Sequence, residues 1–224
     1  MRIRPTAVAS TVAAALLLTG CGSSPLEGKT GPEVADAAAD ALEKAGSFHV
    51  SGTVTADGQS GDVDLQVQQE GMTGTLTLGG FDLQILGVDG NVYLQGPREF
   101  WGAFGIPDGS QAMFDNRWVI VPDEAAAGFQ EFSLAGFTEE LRNPSDGEIK
   151  DEVTSDERDG EDVVVAEQDN GSTLTVLDDD PSYPVELTSE GNSTGTVTFS
   201  RFGETDDIVA PTDAIDLAEL AGGQ

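Results

Sequence analysis

Two side chains that often carry chemistry are nearly missing: the 224 residues include one cysteine, Cys21, and one histidine, His49. A single thiol cannot form a disulfide within the monomer or build a zinc–thiolate site. His49 lies between Phe48 and Val50 at the start of a predicted strand, so we expect it at the surface or rim of a sheet. No serine nucleophile is marked, and no phosphate-binding or dinucleotide motif is present. The sequence therefore predicts a protein that is not an enzyme and needs no cofactor.

Positive charge is also scarce, because ten Lys and Arg face 41 Asp and Glu, for a formal net charge of −31. Such a surface repels nucleic acid, since phosphate binding relies on clustered Lys and Arg. The acidity is typical of a solvated exterior, and a cation site is the alternative. The nearest calcium-loop pattern, residues 155–160, fails because Ala166 stands where the clamping glutamate belongs. Residues 178–181 are expected to form a polar turn, so no metal site is predicted.

The apolar run at residues 7–18 is too short to span a bilayer, which takes about 20 residues. It follows Arg2 and Arg4 and ends in Leu18-Thr19-Gly20-Cys21, and these are the three parts of a secretory signal. The last four residues resemble a bacterial lipobox; an ordinary signal peptide with a chance cysteine is the alternative. The resemblance implies that a signal peptide, residues 1–20, is removed and that Cys21 receives a diacylglycerol and a further acyl group such as palmitate. The protein is then expected on the extracytoplasmic face of the cell membrane, held by its lipid anchor.

Residues 21–31 are expected to comprise the lipidated cysteine and, over residues 22–31, a flexible tether. A helix is predicted from Pro32 to Ala45, with Thr30 or Gly31 as its cap and Gly46 as its stop. Its apolar side chains are mostly small and share one stripe, which would let the helix lie close against a sheet.

From Ser47 onwards, apolar and polar residues alternate in short segments, which predicts strands with one wet face. Asp89-Gly90 and Asp159-Gly160 are typical of two-residue hairpin turns. About ten strands, one framing helix and one or two inserted helices indicate an α+β fold with a large antiparallel sheet. The single domain is expected over residues 32–213, and residues 214–224 are expected to be a C-terminal tail.

Aromatic residues are concentrated in one segment: six of the ten phenylalanines and both tryptophans lie between Phe100 and Phe137. Antiparallel sheets bury one face, and few helices are predicted to cover about ten strands. Part of that face could line a cavity completed by an apolar ligand. The alternative is that the aromatic segment fills the space itself.

The order of several segments resembles the LppX/LprG-type bacterial lipoproteins of the LolA-like superfamily. After the lipobox and the Ala-rich helix, those segments are residues 47–52, 89–94, 117–122, 183–187 and 198–202, followed by Pro211. The resemblance covers about residues 32–213. It implies a curved antiparallel half-barrel with helices on its concave face around a hydrophobic cavity. It also implies a carrier that binds a lipid, glycolipid or lipoglycan and moves it between the cytoplasmic membrane and the cell envelope.

This resemblance, combined with strand alternation, gives a set of expected cavity residues. The strand residues are Val54, Leu65, Val67, Leu76, Leu78, Leu83, Ile85 and Leu94, and the gating residues are Trp101, Phe104, Phe129, Phe132 and Phe137. The expected partners are the lipid ligand, the membrane and a membrane transporter, and the protein is expected to be a monomer. The alternative function is an envelope assembly module, or an accessory subunit of a transporter, without a lipid cavity.

Overall fold

One sheet of twelve strands forms the body of the protein in the computed structural model, which describes residues 24–56 and 58–222. The lipobox and Cys21 lie outside the described residues. The strands are β1 Ser47–Ala56, β2 Gln59–Gln68, β3 Gly71–Leu78, β4 Phe81–Val88, β5 Asn91–Gln95, β6 Trp118–Ile120, β7 Ile149–Arg158, β8 Glu161–Gln168, β9 Thr173–Leu177, β10 Pro184–Glu190, β11 Ser193–Ser200 and β12 Ile215–Asp216.

The sheet consists of two meanders, β1 to β6 and β7 to β11, which are joined where β1 pairs with β11. All neighbouring strands are antiparallel except β12 and β6, which are parallel. We call the end of the sheet that holds Ser47 and Ser200 the lower end, and the end that holds Ala56 and Ser193 the upper end. The predicted α+β fold with a large, mostly antiparallel sheet is confirmed, with twelve strands in place of about ten.

The two predicted hairpin turns are also confirmed. Asp89 and Gly90 have φ values of 54° and 79°, and Asp159 and Gly160 have φ values of 55° and 89°. Two successive residues with positive φ give a tight turn whose twist matches that of the paired strands, which is why Asp-Gly is favoured there.

Six α-helices and one 3-10 helix accompany the sheet in the described residues. They are α1 Gly31–Ala45, α2 Arg98–Ala103, α3 Asp108–Gln111, α4 Asp123–Ala126, the 3-10 helix Ala127–Phe132, α5 Leu134–Arg142 and α6 Leu217–Gly222. The predicted first helix is confirmed within one residue. The backbone N–H of Thr30 donates to Glu33 Oε2 at 2.8 Å, and Gly46 ends the helix with φ 73°.

Helix α1 packs on β7 and β8 through its small side chains. At Gly31, a Cβ atom would lie 2.9 Å from Ile149 Cγ2 and closer still to the Lys150 carbonyl oxygen, so only glycine fits. Ala35 and Ala38 are fully buried next to this contact. The helix axis can therefore approach the sheet closely, as the stripe of small residues predicted.

One residue of the segment before α1 is buried. Leu26 is 1% exposed, and its backbone N–H donates to Asp178 Oδ1 at 3.0 Å. Burying one leucine side chain is worth roughly 1.5–3 kcal/mol, which is enough to hold a short segment in place. Leu26 therefore fixes this part of the chain against the end of β9.

The C-terminal segment crosses the outer face of the first meander. The Gln66 amide donates to the Glu204 carbonyl oxygen at 2.7 Å, and the Gln68 side chain exchanges hydrogen bonds with the backbone of Asp206. Farther on, Arg117 donates to the Asp213 carbonyl oxygen at 3.0 Å. Strand β12 then adds to the sheet by pairing with β6.

One arginine links α5 to α1. Arg142 donates to Glu43 at 2.6 Å and to Asp40 at 2.8 Å, and its Nε lies 3.7 Å from Asp36 Oδ1. These hydrogen bonds raise the pKa of Arg142, and the bond from Arg142 is the main cause of a lowered pKa for Glu43. A carboxyl group whose pKa is lowered by folding stabilises the fold above its ordinary pKa, and this contribution is lost as the pH falls through the lowered value.

We expect Arg142→Gln to lower the free energy of unfolding by about 1 kcal/mol, because the three carboxylates are solvent-screened. For a chain of this size that corresponds to a fall of about 2–4 °C in the thermal midpoint. The control is Arg98→Gln, since the exposed side chain of Arg98 forms its ion pair with the neighbouring residue Glu99, at 3.3 Å. The difference from wild type should shrink at acid pH, where Glu43 becomes protonated. Equal midpoints for the two variants at neutral pH would contradict this role.

Candidate functional site

Aromatic side chains fill one half of the concave face. Phe100 and Trp101 of α2, with Phe114 after α3, are buried against β4 and β5. Phe100 lies 6.1 Å from Phe81, measured between ring centroids, and Trp101 lies 5.7 Å from Phe114. The indole N–H of Trp101 donates to the Gly96 carbonyl oxygen at 3.3 Å. These rings therefore occupy the space between α2 and strands β4 and β5.

The middle of the concave face is less completely covered and carries a groove of about 320 Å³. Its floor is apolar and comes from strands of both meanders: Val50 and Val54 of β1, Val63 of β2, Leu187 of β10, and Gly195 and Val197 of β11. Its wall comes from the 3-10 helix and α5, through Phe132, Gly136, Phe137 and Leu141. The groove thus lies where β1 pairs with β11.

Two glycines shape this groove. Gly195 lies opposite Val54 with φ 149°, and a Cβ atom at position 195 would come within 2.8 Å of Val54 Cα. Glycine is therefore required there, and it keeps the floor of the groove low. At Gly136, a Cβ atom would lie 2.6 Å from the Gln130 carbonyl oxygen, so glycine lets the first turn of α5 pack against the 3-10 helix.

Three phenylalanines close the groove towards the lower end. Phe137 stands edge-on to Phe48 at 5.2 Å and lies 6.3 Å from Phe199, and Phe48 lies 5.7 Å from Phe199. From this cluster, the lining residues continue to Val54 and Ser193, near the upper end of the sheet. The groove is therefore blocked at one end and extends towards the other.

The polar residues that line the groove are either acidic or uncharged. Glu140 accepts hydrogen bonds from the backbone N–H of Ser145 at 3.0 Å and from its hydroxyl at 3.1 Å. Glu131, Ser189 and Ser193 complete the polar part of the lining, which contains no Lys or Arg. This surface offers no positive charge to an anionic group.

A smaller cavity of about 80 Å³ shares Glu140, Leu141 and Leu187 with the groove and extends beneath α1 to Ala35. Ligand pockets for small molecules usually have volumes of about 300–1,000 Å³. The groove is at the low end of this range. It has the dimensions and apolar floor to hold a single apolar chain.

The residues expected to line a cavity fall into several groups. Val54, Phe132 and Phe137 line the groove, and half-buried Phe129 lies 6.4 Å from Phe132. Seven others are buried in the packed core: Leu65, Val67, Leu76, Leu83, Ile85, Leu94 and Trp101. Leu78 and Phe104 are 45% and 43% exposed. Alternation places a residue on the inward face, but the helix above it decides whether it meets protein or open space.

Sequence reasoning missed the groove residues of β10 and β11. Leu187 and Ser189 alternate along β10, and Ser193, Gly195 and Val197 alternate along β11. The same period of two that indicated the first meander could have identified them. The two polar serines and the glycine make this signal weaker than a run of valines.

The histidine is on the outer face, as alternation predicts. His49 Nε2 lies 3.0 Å from Asp64 Oδ1, and Nδ1 lies 3.3 Å from Ser200 Oγ. These residues have the types of a catalytic triad, but they face away from the groove that Val50 lines. We interpret them as cross-strand hydrogen bonds that connect β2, β1 and β11.

Two further features of the described chain bear on function. Among its His, Asp and Glu side chains, no group of three converges so as to hold a metal ion. Within residues 24–56 and 58–222, no helix has the length and apolar character needed to cross a membrane.

Comparison with known proteins gives a fold relationship. No protein-family model and no curated protein sequence matches the chain. The crystal structure of LprF from Mycobacterium bovis matches with a TM-score of 0.51 and 16% identity, covering 82% of this chain and 99% of that one. The lipoprotein LppX from Mycobacterium tuberculosis matches at 0.47 and 13%, covering 80% and 98%. A DUF1329 family protein from Desulfovibrio piger matches at 0.26 and 10%, covering 76% and 90%.

The similarity to LprF shows that this chain has the fold of that lipoprotein. The resemblance expected from the sequence is confirmed at this level. The α+β architecture with a large curved sheet is likewise the one that LprF has.

We expect Phe137→Ala to destabilise the protein by roughly 2–3 kcal/mol, because it removes the central ring of the cluster that closes the groove. The control is Phe104→Ala, which removes a half-exposed ring and should change stability by less than about 1 kcal/mol. Urea denaturation followed by circular dichroism measures both. Similar losses in the two variants would show that the cluster does not hold the wall of the groove.

Proposed function

We propose that the protein is a lipid carrier of the cell envelope, held at the membrane through Cys21, whose groove binds an acyl chain. The observation that carries this proposal is the groove itself. It has a floor of Val and Leu from both meanders, a wall of Phe132 and Phe137, and an aromatic cluster at one end.

The driving force for binding is the removal of apolar surface from water, at roughly 25 cal/mol per Å². Ordering the chain and losing its free motion offset part of this gain. Because the groove is small, it accommodates one chain without rearrangement. A lipid with more chains requires the 3-10 helix and α5 to move away from β1 and β11, and Phe129 and Phe132 on the 3-10 helix are only half-buried.

The lining of the groove supports a binding role without catalysis. Its titratable side chains are Glu131 and Glu140, and Glu140 is engaged by Ser145. General acid–base or nucleophilic catalysis needs a reactive group and a partner within hydrogen-bond reach of the substrate. The side chains of the groove offer an apolar surface in place of such a pair.

The decisive test is whether an acyl lipid copurifies with the protein. The full chain, produced in a bacterial host, should yield a non-covalently bound acyl lipid in near-stoichiometric amount by native mass spectrometry and organic extraction. Val197→Phe fills the floor of the groove and should reduce bound lipid several-fold. The matched control Thr198→Phe points to the outer face and should leave lipid content unchanged.

Circular dichroism and thermal melting establish that both variants fold; Ser193→Phe, at the upper part of the groove, serves as a second filling variant. The carrier proposal would be contradicted if the wild-type protein contained no lipid and its thermal midpoint did not change when lipids were added. That result would instead favour an assembly module or an accessory subunit of a transporter.

The anchor is tested separately. Cys21→Ser should move the protein from the membrane fraction to the soluble fraction, because hydrophobic anchoring depends on the acyl chains. Mass spectrometry of the wild-type N-terminal peptide should show the added diacylglycerol and acyl groups. A Cys21→Ser protein that stays in the membrane fraction after a salt wash would contradict lipid anchoring.

A further inference from the structure

Large apolar side chains are exposed at the upper end of the sheet. Leu78, which is 45% exposed, pairs with Phe81 across the hairpin of β3 and β4. Phe81 lies 6.1 Å from Phe100, which lies 5.7 Å from Phe104, a ring that is 43% exposed. We call Leu78, Phe81 and Phe104 the apolar rim. The buried ring of Phe100 links Phe81 to Phe104, so the rim residues belong to one cluster at this end of the sheet.

The apolar rim adjoins the groove. Val63, in the floor of the groove, is paired with Leu76, and both face inward. Leu76 precedes Leu78 by two residues on the same face of β3. Val54 and Val63 of the groove and Leu78 of the rim therefore all face inward near the upper end of the sheet, with buried Leu76 between Val63 and Leu78. The groove thus extends towards the same end of the sheet as the rim.

The N-terminal segment lies at the other end of the sheet. The described chain begins at Ser24. The backbone N–H of Leu26 donates a hydrogen bond to Asp178, which follows β9 at the lower end of the sheet. Cys21 is three residues before Ser24, and three residues span at most about 10 Å. A ten-residue strand such as β1 spans about 33 Å. Leu26 and the rim therefore lie at opposite ends of the sheet, and the chain enters the described residues from the end that is far from the rim.

We propose that the apolar rim docks on a lipid surface other than the bilayer that holds Cys21, and that the groove exchanges its acyl chain there. This inference rests on the proposed carrier function. An acyl chain that crosses water exposes each CH₂ at a cost of about 0.8 kcal/mol, so its receiver must lie close to the end of the sheet towards which the groove extends. A lipid surface accepts both the rim side chains and the chain that leaves the groove.

Charge decides which lipid surface the rim prefers. The chain carries a formal net charge of −31, and the lining of the groove contributes Glu131 and Glu140. Anionic headgroups are repelled by such a field, most strongly at low salt. The rim therefore suits a zwitterionic or neutral lipid surface.

The test is a transfer assay with the lipidated full chain inserted in donor vesicles of phosphatidylcholine. The donor protein carries a fluorescent diacylglycerol, and unlabelled phosphatidylcholine vesicles act as acceptors. The double variant Leu78→Ser/Phe104→Ser should lower the transfer rate at least ten-fold without changing how much lipid the protein carries. The single variant Leu78→Ser provides a milder change, with an intermediate rate expected.

The matched control is Val209→Ser, because Val209 is 74% exposed and lies outside the rim, on the segment that follows β11. It should transfer at the wild-type rate. Acceptor vesicles rich in phosphatidylglycerol should receive lipid more slowly at low salt, and added salt should restore part of the rate.

The outcomes separate the two proposals. Loaded rim variants that transfer at the wild-type rate would overturn the docking surface and leave the carrier function standing. A wild-type protein that carries no lipid would overturn both. Transfer that occurs only after envelope proteins are added would overturn the lipid surface in favour of a protein receiver.

Discussion

The pairing of β1 with β11 is the interaction on which the rest of the structure depends. It joins two meanders that are far apart in the sequence into one sheet of twelve strands. An antiparallel sheet buries one face, and here that face must be covered by α1 and by the helices between β5 and β7. Helix α2 lies over β4 and β5, α1 lies over β7 and β8, and α5 lies over the strands β1 and β11. The groove is the part of the inward face next to α5 and the 3-10 helix.

Helix α5 couples the stability of the domain to the shape of the groove. Its inner side presents Gly136 and Phe137 to the groove, and its C-terminal end is bonded through Arg142 to three carboxylates of α1. The position of the groove wall therefore depends on how α1 packs against β7 and β8. Gly31 allows α1 to approach these strands closely. A displacement of α5 relative to α1 would break these ion pairs, and surface ion pairs are weak individually.

Local patterns predicted much of the fold but only a small part of the groove. The Asp-Gly turns, the first helix and the outward position of His49 follow from short-range rules, because each depends on neighbouring residues. Of the expected cavity residues, Leu65 and Ile85 are covered by packed side chains, whereas Val54 is in the groove. All three have the same alternation, so no local signal distinguishes them. Leu187 and Val197 reach the groove only because β11 pairs with β1.

The sequence by itself determined the class of fold, the face to which each strand residue points and the site expected to carry the lipid anchor, since propensity, period and the lipobox pattern are local properties. Only the tertiary structure decided that the aromatic segment fills one half of the concave face and leaves the other partly open. It also decided that Leu26 and the chain after residue 213 are packed. The physical reason is that burial depends on which distant elements meet, and that is settled by the β1–β11 pairing and by where the helices pack.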